Sequence, residues 1–227
     1  MKNTYVISLG GSIIVPGKID TEFIKKFVVL ILRQIQSRKR FFIVTGGGAT
    51  ARTYIRALRT MGKHISNDDL DWLGISATKL NAQMLISLFG KWARQKLIVD
   101  PTPREKDLKA VNLVSGWRPG HSTDLVAVKI AETYGIDTVI NLSNIDYVYD
   151  RDPRKHKSAK KIEQMTWAEF SRQFGSSWDP GVNLPFDPIG AKLASQYNIK
   201  VVIMNGKKLD NLKNFLNNRP FKATVIK

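Results

Sequence analysis

Strand and helix signals alternate from one end of the chain to the other, and this alternation narrows the possible folds more than any other feature. "YVISL" (Tyr5 to Leu9) is a β-rich run that ends in Gly10-Gly11. Asp20 then opens a helical pattern with Phe23, Phe27, Leu30, Ile31 and Ile35 at helical spacing, and Arg38, Lys39 and Arg40 crowd its C-terminal end. "FFIVT" (Phe41 to Thr45) predicts a second strand and Ala49 to Arg59 a second helix. A long helical pattern follows from Asp68 to Arg94 through Leu73, Leu80, Met84 and Leu88, with Gly74 marking an irregularity or a close contact. "KLIVD" and "VNLV" predict short strands. Ser122 or Thr123 caps a helix to about Tyr134, and "DTVINL" reads as a buried strand. "TWAE" (Thr166 to Glu169) is a capping box, and Pro188 sits in the first turn of a helix to Gln196. "KVVIM", a helix from Leu209 to Leu216 and a closing strand "ATVI" complete the pattern. Such a sequence predicts the α/β class: a mainly parallel open sheet sandwiched between helices in three layers. One compact domain is expected, with an N-terminal lobe of residues 1–115 and a C-terminal lobe of residues 116–227 meeting in the polar, turn-rich region near Gly116.

The 227 residues suffice for a real core, and the 43% hydrophobic content excludes a disordered chain. No apolar run approaches the roughly 18 residues a spanning helix needs, so no membrane association is expected. The N-terminus reads as a first strand rather than a signal peptide. There is no cysteine, which excludes disulfides and thiolate metal sites and is compatible with a cytoplasmic location. The net charge of +17 is spread along the chain, with no tract of five or more like charges to mark a nucleic-acid arm. It reads as a basic, solvated surface compatible with a small anionic substrate. Nucleic acid is not expected to be the main partner, because aromatic-plus-basic modules are missing.

Five stretches carry candidate chemistry. In "SLGGSIIVPG", Gly10 and Gly11 let backbone N–H groups approach an anion and Ser12 adds a hydroxyl, although a Gly-Gly pair after a strand is also an ordinary tight turn. "FFIVTGGGATARTYI" has the layout strand, three glycines, helix. Its turn points a helix N-terminus at whatever sits there, and three glycines suggest backbone kept bare for a ligand. It matches neither the dinucleotide fingerprint nor the phosphate-loop formula. Arg52, one helical turn on, reads either as a solvated helix arginine or as a cation reaching back to the same anion. In "GWRPGHSTDLVAV", the amides and hydroxyls of His121, Ser122 and Thr123 fit a phosphate, or ordinary capping with Asp124 in the first turn. "NLSNIDYVYDRDP" packs Ser143, Asn144, Asp146, Asp150 and Asp152 around Tyr147 and Tyr149, which suits a nucleotide base and ribose or a polar loop. In "NLPFDPIGAKLA", Asp187 precedes a proline-started helix and Lys192 lies one turn inside it, as a surface lysine or as a neutraliser of a transferring phosphoryl group. There is no H-E-x-x-H, no G-x-S-x-G, and no metal-ligand spacing among His64, His121 and His156.

In order, "SLGGS", "VTGGGATAR", "DLDWLGISATKLNA", "PGHSTD", "SNIDYVYDRDP" and "DPIGAKLA" resemble the amino acid kinase family, and most closely its archaeal-type uridylate (UMP) kinases. The resemblance covers essentially the whole chain, Tyr5 to Ile226. It implies transfer of a phosphoryl group from ATP to UMP, with Mg²⁺ carried on the nucleotide and no metal site built by the protein alone. It implies that Gly10, Gly11, Ser12, Gly48 and Arg52 face the ATP phosphates and that Ser143, Asn144, Tyr149 and Asp152 belong to the ATP site. Gly47 and Asp71 would meet UMP, and Trp117, Arg118, Pro119, Gly120, His121, Ser122 and Thr123 would wrap it. Lys192 and Arg52 would neutralise the transferred phosphate, with Asp146 and Asp187 orienting the site or its metal. The acceptor would lie on the N-terminal lobe and ATP on the C-terminal lobe, in a homo-oligomer, a hexamer by the family pattern. Much of the family has lysine where this chain has Ser8. Within the same fold the rivals are kinases of isopentenyl phosphate, carbamate, acetylglutamate or fosfomycin, and a non-enzymatic metal-oxyanion store. A nucleic-acid binder is the alternative that the charge leaves open.

Overall fold

The structure, a computed structural model, describes residues 3–62, 64–153, 155–175 and 184–227. Asn183, which opens the fifth stretch above, lies outside them. The chain runs β1 (Thr4–Leu9), α1 (Gly11–Ile14), α2 (Thr21–Gln36), β2 (Arg40–Thr45), α3 (Gly48–Met61), α4 (Asn67–Phe89), β3 (Val111–Val114), α5 (Thr123–Tyr134), β4 (Thr138–Ser143), β5 (Val148–Tyr149), β6 (Lys161–Ile162), β7 (Gln164–Met165), α6 (Trp167–Phe174), α7 (Pro188–Gln196), β8 (Lys200–Asn205), α8 (Leu209–Leu216) and β9 (Thr224–Ile226).

Seven strands form one sheet in the order β3-β2-β1-β4-β8-β9-β7. The five from β3 to β8 are parallel, β9 is antiparallel to β8, and β7 is parallel to β9. Strand residues alternate between two cores. Ile7, Leu9, Phe41 and Ile43 face a layer that includes α2, α4 and α8, while Val6, Phe42 and Val44 face α5, α6 and α7. Burial on both faces explains why these strands read as nearly unbroken apolar runs. Each large side chain buried this way contributes about 1.5–3 kcal/mol, and Phe27, Phe41 and Phe170 are fully enclosed.

The helix signals act as expected at most ends. Asp20 caps α2 by accepting from Phe23 N, Ser66 and Asp69 form a capping box on α4, and Thr166 with Glu169 form one on α6. The long helix pattern overruns: α4 stops at Phe89 because Gly90 takes φ +54°, a conformation that favours glycine. Arg94 is therefore not helical. It is buried and pairs with Glu105 and Asp107, both at 2.7 Å. "KLIVD" contributes only an isolated bridge, Ile98 to Val114, at the edge beside β3. Gly74 causes no break in α4. The short strands β5, β6 and β7 and the four-residue α1 carry too few residues for a period to show.

Candidate active site

The chain steps outward from β1 to β2 and β3, then returns to place β4 on the other side of β1. Strand order reverses there, and in open α/β sheets the crevice beyond the strands' C-terminal ends at such a point is where ligands bind. Both glycine turns open into it. Gly10 N–H donates to Leu142 O at 3.1 Å, stitching the first turn to β4. The two turns then pack backbone on backbone. A Cβ on Gly11 would lie 2.7 Å from Gly48 Cα and 2.8 Å from Gly46 C, and one on Gly47 would lie 2.7 Å from Ala51 Cβ. Gly48 also has φ +64°. Turn packing alone therefore accounts for the triplet, and no ligand is needed to explain its missing side chains. What the turns do offer an anion is their helix starts. Neither α1 nor α3 has a side-chain cap, whereas Ser122 caps α5 and Asp187 caps α7. Ser12 is exposed in the first turn of α1. Arg52 is exposed on α3 and its Nη2 donates to Pro16 O at 2.9 Å, bridging toward the loop that follows α1.

Helix α4 holds the second turn in place. Asn81 Nδ2 donates to Gly46 O at 2.8 Å and to Gly47 O at 3.3 Å. Thr45 Oγ1 donates to Thr78 O at 2.9 Å, and Thr78 Oγ1 accepts from Gly116 N at 2.8 Å. These two buried polar residues of "LGISATKLNA" thus fasten the glycine turn and the start of the 116–123 segment to one helix. One turn earlier, Asp71 Oδ2 accepts from Gly120 N at 2.8 Å, so Asp71 and "WRPGHST" do come together. Within that segment the Arg118 guanidinium lies 4.0 Å over the Trp117 ring, and His121 meets the same ring edge-on at 4.9 Å. Arg118 Nε donates to His121 Nε2, so His121 carries its proton on Nδ1, 2.9 Å from Pro119 O. Ser122 Oγ accepts from Leu125 N, and Thr123 begins α5.

Asp124 is the centre that the sequence pattern did not single out beyond a first-turn acid. Its Oδ1 accepts from Ser8 Oγ at 2.8 Å and from Asn141 Nδ2 at 2.7 Å. Ser8 and Asn141 face each other across β1 and β4, so the carboxylate sits over the switch point. Loss of solvent pushes Asp124 up to about 6; the Ser8 hydrogen bond opposes this, the Asp187 charge adds to it, and Asn141 opposes it. Ser8, where much of the family has lysine, is therefore a hydrogen-bond partner of a carboxylate with no neutralising cation acting on it.

Asp187 reaches Asp124 because α5 and α7 pack closely at their starts: a Cβ on Gly190 would lie 3.3 Å from Leu125 Cα. Asp187 is buried, and its Oδ1 accepts from Ile189 N and Gly190 N at 2.6 and 2.9 Å. Lys192 is exposed one turn further along α7. Beyond β4, a cavity of about 810 Å³ gathers Ser143, Asn144, Tyr149 and Asp152 with Tyr147, Phe174 and Leu184. Pockets of roughly 300–1,000 Å³ are the usual size for small-molecule sites. Asp146 is aimed elsewhere. Its Oδ2 pairs with Lys208 Nζ at 2.8 Å, which with the Asn205 hydrogen bond holds it below the usual carboxylate range.

Two uncapped helix starts at a switch point, beside a cavity of that size, define an α/β protein laid out to hold anionic ligands. The chain belongs to the amino acid kinase family, whose model matches residues 3–205. A uridylate kinase of Thermoplasma volcanium is 39% identical, over all of this chain and 98% of that protein. One from Pyrococcus abyssi is 36% identical over 89% of this chain and 90% of its own. The crystal structure of a uridylate kinase from Archaeoglobus fulgidus superposes with a TM-score of 0.83 at 32% identity, covering 98% of this chain and 99% of the other.

Proposed function

We propose that this chain is a UMP kinase that transfers the γ-phosphoryl group of ATP to UMP. The observation that carries the reading is the meeting of the two uncapped helix starts, α1 and α3, at the switch point next to the 810 Å³ cavity. The archaeal relatives named as uridylate kinases support the choice of acceptor. In this reading ATP lies on the C-terminal lobe, its base and ribose against Tyr149, Ser143, Asn144 and Asp152 and its phosphates at Gly10, Gly11, Ser12 and Gly48. UMP lies on the N-terminal lobe, its ribose at Asp71 and its phosphate at Gly47 and within Trp117 to Thr123.

A UMP phosphate oxygen forms the new P–O bond. The bond from the γ-phosphorus to the bridging oxygen breaks, and its electron pair leaves with ADP. The attacking oxygen is already anionic, so no strong base is required, and catalysis is in-line positioning plus charge neutralisation. Lys192 and Arg52 supply cationic charge. Among the described residues no three His, Cys, Asp or Glu side chains gather as a metal site. The donors fit a Mg²⁺ ion held mainly by phosphate oxygens and water, the ordinary mode for this ion. Asp187 would hold it, since only its Oδ1 is engaged by the helix cap. Mg²⁺ supplies charge neutralisation of the phosphates when bound.

Large apolar side chains exposed on α3 and α4 (Tyr54, Met61, Trp72, Leu80 and Leu88) support assembly with further copies, a hexamer in the family pattern. No helix among the described residues is long and apolar enough to cross a membrane, and a cytoplasmic role in pyrimidine nucleotide synthesis follows from the reaction. Incubation with UMP and MgATP, followed by chromatographic separation of products, tests the reading: UDP and ADP form in equal amounts. ADP without UDP refutes it.

A further inference from the structure

A second cleft, of about 870 Å³, lies outside the machinery described above. It opens between the start of α2, helix α8 and the loop before β9. Its walls include Phe23, Lys26, Lys207, Asn214, Phe221 and Lys222. We propose that this cleft is an effector site for a nucleoside phosphate. The inference rests on the kinase reading only for its effect on turnover.

The chemistry of the walls selects that ligand. Phe221 is an exposed ring braced edge-on by Phe215 at 4.9 Å, a platform for a base. Lys26 and Lys222 make no ion pair among the described residues and are available to phosphate. Asn211 fixes the rim, since its Oδ1 accepts from Lys222 N at 2.7 Å and its Nδ2 donates to Lys222 O at 2.6 Å. The Asn214 side chain adds an amide with donors and an acceptor for a base edge.

The cleft shares a wall with the candidate active site. That wall is the turn after β8. On one side Gly206 N donates to Ser143 O at 2.8 Å, and Ser143 lines the nucleotide cavity. On the other side Lys207 pairs with Asp20, the cap of α2, and stands 5.0 Å from the Phe23 ring. Lys208, between them, pairs with Asp146. A polyanion in the cleft competes with Asp146 for Lys208, so occupancy on one side changes the charge presented on the other. Linkage makes the effect reciprocal and typically 5–150-fold.

The test uses the whole protein saturated with UMP and the non-hydrolysable donor AMP-PNP with Mg²⁺, which occupies the catalytic cleft. UTP, GTP and inorganic pyrophosphate are then titrated separately by calorimetry. One further site per chain for UTP or GTP is expected. Its Kd should rise at least tenfold in Lys26→Ala and in Phe221→Ala, both of which should keep basal turnover and the wild-type unfolding midpoint. The filled site should also shift the KM for ATP in the wild type and not in those variants. Absence of a further site after UMP and AMP-PNP have bound overturns the inference and leaves the kinase reading intact. Failure of UMP and AMP-PNP to bind overturns the kinase reading instead. Pyrophosphate binding as tightly as UTP and GTP, or unchanged affinity in Phe221→Ala, refutes recognition of a nucleoside.

Discussion

Replacing Asp124 with asparagine should stabilise the protein above pH 6 and change it little near pH 4. The Asp124 carboxyl rises from an ordinary value of 3.8 to about 6 in the folded chain, mainly because it is removed from solvent, and Asp187 adds to the rise. Between those two values the native state binds more protons than the unfolded chain, so stability falls as pH rises through that window. Above pH 6 the full penalty is present, and below 3.8 it is gone. A shift of roughly two units corresponds to about 3 kcal/mol, an upper bound for a group this close to the surface. Asparagine keeps an acceptor for Ser8 and Asn141 and cannot ionise. Urea unfolding at fixed protein concentration should show a gain of about 2–3 kcal/mol at pH 8, shrinking below ~1 kcal/mol at pH 4. Turnover should fall in the same variant, the usual trade at a site that holds an unfavourable charge. No gain at pH 8, or an equal gain at both pH values, refutes the claim that Asp124 is held ionised at a penalty.

Lys192→Ala should lower turnover at least ~100-fold, the scale of losing one charge stabiliser, with an unchanged urea midpoint because the side chain is exposed. Asp71→Ala removes the acceptor of Gly120 N, so steady-state kinetics should show a raised KM for UMP with a smaller change in that for ATP. Arg94→Met leaves Glu105 and Asp107 without their shared cation and should cost about 3 kcal/mol in urea unfolding, the order found on breaking a buried ion pair.

The layered fold was legible because its strands are buried on both faces and its helices carry strong end signals, such as Asp20, Thr166 with Glu169, and Pro188. Gly90 shows the limit of periodicity. The apolar spacing continues past it, but a left-handed residue ends the helix, and Arg94 belongs to a buried ion-pair network rather than to a helix face. The glycine turns were found from their flanking strands, but the reason for their glycines was not. Gly11 and Gly48 lie 37 positions apart and exclude each other's side chains only once β1 and β2 pair. Asp124 was hidden for a related reason. First-turn acids are common on helices, and only the register that places Ser8 opposite Asn141 turns this one into a buried hub. Asn81 and Thr78 carried a faint signal, as polar residues on the inward side of a helical pattern.

The acceptor specificity is tested most directly by an ADP-release assay with MgATP and equal concentrations of UMP, CMP, dUMP, isopentenyl phosphate, acetylglutamate and carbamate. A UMP kinase should give a kcat/KM for UMP at least ~100-fold above every non-nucleotide acceptor, since polar groups built for a ribose and base are left unpaired by the others. A higher kcat/KM for any non-nucleotide acceptor contradicts the assignment.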